Sequence, residues 1–73
     1  MVTLKNIKKT KDDISADYYI ESNSAKGFIR INISDGKVME LKNVGYGYSH
    51  AVRELERLAT IDNPPTETTV YWY

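Results

Sequence analysis

The pair of residues best suited to proton transfer is His50 and Glu54, the single histidine and a glutamate four positions later. Residues four apart on a helix share a face, so an imidazole and a carboxylate could exchange a proton there. The same pattern describes a surface histidine at a helix start, and neither a nucleophile nor an oxyanion donor accompanies it. An enzyme around His50 is therefore the third of three hypotheses, and we expect a non-catalytic protein.

Composition excludes several other site chemistries. The sequence has no cysteine, which excludes disulfides, thiol catalysis and cysteine-based zinc sites, and its one histidine excludes His-pair metal motifs. Asp12-Asp13 and Asp35-Gly36 lack the spacing of a calcium loop and are typical of turns. Gly45-Tyr46-Gly47-Tyr48 could hold an anion at a helix start, but it lacks the lysine and spacing of a phosphate loop. The sequence predicts neither a cofactor nor a metal.

Tyrosines near the helix start and at the end of the chain favour protein binding. Tyr46 and Tyr48 are flanked by glycines, while Tyr71 and Tyr73 alternate with residues expected to face inward. Tyrosine offers rigid amphipathic area at interfaces, and an aromatic strand at an open sheet edge could pair with another subunit. With Arg53 as a further anchor, these residues predict a non-catalytic protein-interaction module that binds a protein partner or self-associates as a homodimer.

The alternative function is single-stranded nucleic-acid binding on the outer sheet face. Tyr19, Phe28, Arg30 and Lys42 combine rings with positive charge there, as such binders do. Ten Lys/Arg balance ten Asp/Glu, which leaves no basic field, and acidic residues share that face: Asp17, Glu21 and Glu40. The sequence therefore disfavours nucleic acid.

Alternating apolar residues predict a four-stranded antiparallel meander. In the first hairpin, Leu4 opposite Tyr18 and Val2 opposite Ile20 align the apolar faces, with residues 9 to 13 as the loop. The same logic pairs the second and third strands, placing Ile20 opposite Ile29 and Tyr18 opposite Ile31, with Asn23 to Lys26 as the turn. Register thus follows from the requirement that apolar residues share one face.

The third and fourth strands form the clearest hairpin. A three-residue loop with Gly36 in the left-handed conformation would set Ile31 opposite Met39 and Ile29 opposite Leu41.

A helix and a last strand complete an α+β fold of order β-β-β-β-α-β, with the helix packed on one face of the sheet. Ser49 is the expected N-cap, Pro64-Pro65 stops the chain from continuing as a helix, and Thr66 to Tyr73 is rich in strand formers. The last strand joins either this sheet or a partner. The expected core comprises Val2, Leu4, Ile14, Ala16, Tyr18, Ile20, Ile29, Ile31, Ile33, Met39, Leu41, Val52, Leu55, Leu58, Ile61, Val70 and Trp72.

Length and local motifs indicate the class of protein. Seventy-three residues make a single small domain, and no stretch approaches the length of a membrane span, so a cytoplasmic protein is expected. Several motifs, namely Ser15-Ala16-Asp17-Tyr18, Lys26-Gly27-Phe28-Ile29, Asp35-Gly36, Asn63-Pro64-Pro65 and Val70-Tyr71-Trp72-Tyr73, resemble short uncharacterised proteins of Gram-positive bacteria. The resemblance implies a bacterial cytosolic protein and carries over neither an activity nor a site residue.

Overall fold

The computed structural model describes residues 1–20, 26–45 and 48–71. Its elements are β1 (Val2–Lys9), β2 (Asp13–Ile20), β3 (Lys26–Asn32), β4 (Val38–Lys42), α1 (Tyr48–Ala59) and β5 (Glu67–Val70). The strands form one antiparallel sheet in the order β4-β3-β2-β1-β5. The predicted α+β meander with its helix and C-terminal strand is confirmed. No helix in the described segments has the length and apolar character needed to cross a membrane.

The first hairpin has the predicted register at its open end. Val2 pairs with Ile20 and Leu4 with Tyr18. The register then shifts between Lys5 and Lys8, and Asn6 adopts a positive φ of 53°. This bulge turns Ile7 into the core, which the strict alternation of the prediction missed.

The predicted register between β2 and β3 is wrong by four residues. Ile14, rather than Tyr18, lies opposite Ile31, and Tyr18 lies opposite Gly27. A shift by an even number keeps the same side chains on the inner face, so alternation cannot detect it. The fit of volumes supplies the physical reason, because a Cβ atom at Gly27 would lie 3.1 Å from Cδ1 of the buried Tyr18 ring. The smallest residue of β3 thus faces the largest buried side chain.

The hairpin of β3 and β4 differs from the prediction at its turn. Ile29 pairs with Leu41 and Gly36 has a φ of 72°, both as predicted. The loop covers residues 33–37 instead of three residues, and Ile31 pairs with Val38 instead of Met39. A register shift between Arg30 and Ile31 accommodates the difference.

The helix packs its apolar stripe on the sheet. Ala51, Leu55 and Leu58 are buried, and α1 contacts β1, β2, β3 and β5. The helix begins at Tyr48, so Ser49 lies within its first turn and is not the N-cap.

β5 pairs with β1. Of the two predicted possibilities for the last strand, it therefore joins the sheet of its own chain and not that of a partner. It ends at Val70, before the predicted end of the strand.

The core therefore lies between α1 and the central strands. Its fully buried members are Val2, Leu4, Ile7, Ile14, Ala16, Tyr18, Ile29, Ile31, Ala51, Leu55 and Leu58. Five predicted members are partly buried against it: Ile20, Ile33, Val52, Ile61 and Val70. Met39 and Leu41 were predicted inside but are exposed, because β4 is an edge strand and the helix packs on the strands further in. Trp72 lies outside the described residues.

Candidate interaction surfaces

The outer edge of β4 carries three exposed apolar side chains. Val38 is 41% exposed, Met39 52% and Leu41 42%, and only β3 pairs with this strand among the described strands. We call the side of β4 that faces away from β3 the β4 edge. An unpaired strand edge presents backbone N–H and C=O groups in a row, which makes it a template for another strand. In the described part of the chain, the β4 edge therefore combines exposed apolar area with backbone groups that no other strand pairs.

Local sequence defines where the β4 edge begins and ends. Gly36 takes the left-handed conformation in the turn before it, and its N–H donates to the Asn32 carbonyl at 2.9 Å. Asn43 has a φ of 49° and ends the strand. Near that end, a Cβ atom at Gly27 would lie only 2.6 Å from the Lys42 carbonyl oxygen. Glycine at position 27 therefore lets the end of β4 approach β3 closely.

Charges of opposite sign follow each other along the outer face of β4. The Lys42 Nζ lies 2.9 Å from Oε2 of Glu40, and Arg30 Nη2 lies 3.6 Å from Oε1. The hydrogen bond from Lys42 is the main reason that the pKa of Glu40 is lowered, with both cations adding to the effect. Glu40 is therefore an anion across the neutral pH range, two positions before a cation.

The residues proposed for nucleic-acid binding lie on one face of the sheet, in a different arrangement from the predicted one. Arg30 lies opposite Ser15 on β2 rather than Tyr19, and Phe28 lies opposite Asp17 rather than Glu21. Lys26 is the residue opposite Tyr19. This rearrangement follows from the four-residue shift of β3.

The cations of that face already have acidic neighbours. Arg30 lies between Asp13 and Glu40, at 3.6 Å from each, and Lys42 contacts Glu40. The Nζ of Lys5 lies 5.4 Å from the centre of the Tyr19 ring, a cation–π contact. A phosphate backbone would have to displace these partners, and its attraction to the cations is offset by the carboxylates beside them.

His50 and Glu54 lie on the same helix face, as predicted. Together with Arg53, Arg57 and Val70 they line a shallow cavity of about 270 Å³ between α1 and the end of β5. Both carboxylate oxygens of Glu54 accept hydrogen bonds from Arg57, at 2.8 and 2.9 Å. These bonds lower the pKa of Glu54. They hold the carboxylate in an ion pair, so the arrangement provides a helix-surface ion pair rather than a proton acceptor poised at neutral pH.

The predicted tyrosine surface is described only in part. Tyr48 is 46% exposed at the first position of α1, and Tyr71 is 62% exposed just after β5. Arg53 is exposed on the helix, and Tyr46 and Tyr73 lie outside the described residues. The expectation that some of the tyrosine ring surface is exposed is confirmed for Tyr48 and Tyr71.

Sequence reasoning missed the β4 edge as a candidate site because it assigned Met39 and Leu41 to the core. A signal was present, since each apolar residue between Lys37 and Lys42 has a charged neighbour. Lysine-rich short strands are typical of sheet edges.

No protein-family model, curated protein or solved structure matches this chain.

Proposed function

We propose that this chain is a non-catalytic protein-interaction domain that binds an extended strand of a partner protein along the β4 edge. The observation that carries the proposal is the exposure of Val38, Met39 and Leu41 on a strand with one unpaired side in the described structure. In strand addition, backbone hydrogen bonds provide affinity and alternate side chains provide specificity. The β4 edge supplies both kinds of contact. Its expected compartment is the cytoplasm, as the sequence resemblance implies.

Protein binding was also the function expected from the sequence, but the proposal assigns it to the β4 edge and not to the tyrosines. Tyr48, Arg53 and Tyr71 remain a predicted second surface, but they lie on α1 and beyond the last residue of β5. Exposed aromatic side chains there can add contact area, whereas the β4 edge adds a row of backbone groups that only another strand can pair fully. Two binding hypotheses can thus be separated by position on the fold.

The test is a comparison of Leu41→Lys with Tyr71→Lys. Each variant replaces one exposed apolar side chain by a lysine, so the change in charge is the same. Purified wild type and variants are cross-linked in a cell lysate, and amide hydrogen exchange is measured on the recovered complexes. We expect Leu41→Lys to lose the cross-linked proteins, Tyr71→Lys to retain them, and the Leu41 amide of the wild type to exchange more slowly when bound.

Two results would contradict the proposal. Retention of every cross-linked protein by Leu41→Lys would show that the β4 edge is not the binding surface. Loss confined to Tyr71→Lys would move the interface to the tyrosine surface. A thermal unfolding curve of each variant confirms that the chain is folded, which is expected because both positions are exposed.

A further inference from the structure

We propose that the strand bound at the β4 edge belongs to a second copy of this chain, and that the two β4 strands pair antiparallel about a two-fold axis at Leu41. The inference rests on the proposed function and names its partner. Pairing in this way would join two five-stranded sheets into one continuous sheet. The same patch on both copies forms the contact, as an isologous dimer requires.

Backbone geometry makes Leu41 available for such pairing. The N–H of Asn32 donates to the Lys37 carbonyl at 2.8 Å, and the Asn32 carbonyl accepts from Gly36, so its backbone groups are directed to the β4 side. In an antiparallel ladder this direction alternates, so Arg30 and Phe28 also direct their groups to β4. Their partners there are Glu40 and Lys42. Leu41 lies between those two residues, and its N–H and C=O face the open edge.

Among the symmetric registers centred on a residue of β4, the chain's charges favour one. A two-fold axis at Glu40 would set two glutamates opposite each other, and an axis at Lys42 would set two lysines opposite each other. An axis at Met39 would centre on the register shift between β3 and β4 and would place Glu40 against Val38. An axis at Leu41 sets the two leucines opposite each other. It also sets each Glu40 opposite Lys42 of the second copy.

The Leu41 register is therefore complementary in both charge and polarity. Opposite charges directly across a strand pair stabilise it, and this register contains two such pairs related by symmetry. Exposed leucine area on each copy is covered by the same residue of the other copy. The formal net charge of the chain is zero, so the approach of two copies meets no overall repulsion. A chain of 73 residues with a single small core is also in the size range where subunit association commonly adds stability.

Charge reversal tests both the partner and the register. The measurement is solution mass by light scattering over a concentration series. We expect the wild type to form a dimer, and Glu40→Lys and Lys42→Glu each to weaken it at least about tenfold, because each places two pairs of like charges across the axis. An equimolar mixture of the two variants should form a heterodimer, since every facing pair is again of opposite charge. The double variant Glu40→Lys/Lys42→Glu should dimerise with itself.

The equimolar mixture of the two variants is also the control for the effect that each substitution has within its own chain. Glu40 pairs with Arg30 and Lys42 of its own chain, so Glu40→Lys loses both contacts and Lys42→Glu loses the contact between Glu40 and Lys42. Each protomer carries the same loss in the mixture, and recovery there can come only from contacts between chains. Tyr71→Lys is the matched surface control and should dimerise like the wild type.

Each contrary outcome overturns the inference in a distinguishable way. A wild type that stays monomeric at every concentration excludes the second copy as partner, while loss of lysate cross-linking by Leu41→Lys would still support the proposed function. A wild-type dimer with a mixture that fails to associate excludes the Leu41 register. A dimer dissociated by Tyr71→Lys but not by Leu41→Lys places the contact on the tyrosine surface and contradicts both proposals.

Discussion

At one edge of the sheet, β5 runs beside β1 and contacts α1; at the other edge, β4 runs beside β3, and its apolar side chains remain exposed. Contacts before the start of β5 and at its last residue hold this strand in place. The N–H of Ile7 donates to the Thr66 carbonyl at 3.0 Å just before the strand, and Val70 packs against the core at its end. Among the described residues, no large apolar side chain within β5 is exposed.

The difference shows that helix placement determines which edge of the sheet is open. Both edge strands carry residues on the helix side of the sheet, but α1 contacts β1, β2, β3 and β5 more extensively than it contacts β4. Val70 is therefore partly covered, whereas Val38 and Leu41 are exposed. In the described structure β4 is the edge strand whose apolar side chains are exposed, so the proposed self-pairing ends at two copies, because a sheet extended at both edges would continue as a filament.

The largest expected effect distinguishes the covered side of the sheet from the open side. Leu55→Ala removes a fully buried side chain beneath the helix, and we expect it to lower the free energy of unfolding by about 2–5 kcal/mol. Leu41→Ala makes the same chemical change at an exposed position and should cost less than about 1 kcal/mol. Urea denaturation, at a protein concentration low enough to avoid association, measures both. Equal losses would mean that β4 is part of the core.

The next effect tests how β4 is attached to the rest of the sheet. Gly27→Ala would place a methyl group 2.6 Å from the Lys42 carbonyl oxygen and 2.8 Å from that of Asn43. Both atoms belong to the backbone at the end of β4, so that strand must move, and we expect a loss of about 1–3 kcal/mol in thermal or urea unfolding.

Gly45→Ala is the matched control for that substitution. Its methyl group would meet only Cδ1 of Ile20, at 2.8 Å, within the described structure. The end of a side chain can rotate away, so the loss should be smaller than at Gly27. A larger loss at Gly45 would show that the close approach of β4 does not limit residue 27.

The order of the strands and the helix, and the register between β1 and β2, could be predicted from the sequence because apolar residues must share one face of the sheet. Alternation in β1 and β2 allows only registers that keep the apolar faces together, and the pairs Val2 with Ile20 and Leu4 with Tyr18 satisfy this. Alternation cannot separate registers that differ by two or four residues, which is why the pairing of Tyr18 with Gly27 was missed. Only the fit of a buried ring against a glycine distinguishes them.

The sequence indicated the exposed tyrosines but not the exposed β4 edge. Exposed tyrosines could be expected from local sequence, and Tyr48 and Tyr71 are exposed. Whether Leu41 is buried depends on where a distant helix lies across the sheet, which periodicity within one strand does not contain. Ile7 illustrates the same limit, because its burial depends on a bulge at Asn6 that no local pattern marked.

The smallest expected effect concerns the hydrogen bond between the core residue Tyr18 and the backbone of Gly45, in the segment that follows β4. Tyr18 is 1% exposed, and burial raises the pKa of its hydroxyl above the ordinary value of 10.0, while a hydrogen bond with the Gly45 backbone opposes that rise. A raised pKa means that the folded chain holds this proton more tightly than the unfolded chain. The stabilisation is therefore complete below about pH 10 and is lost as the pH rises through the higher folded value.

Tyr18→Phe tests that hydrogen bond directly. It removes the hydroxyl and its hydrogen bond, and we expect a loss of about 0.5–1.5 kcal/mol at neutral pH. It should also flatten the decline in stability above about pH 10, because phenylalanine has no proton to release. Urea unfolding of both proteins between neutral and alkaline pH measures the two effects, with Tyr19→Phe on the other face of β2 as the control for the neutral-pH loss. An alkaline decline as steep in Tyr18→Phe as in the wild type would show that another group controls it, and an unchanged stability at neutral pH would show that the hydroxyl does not help to hold the segment after β4.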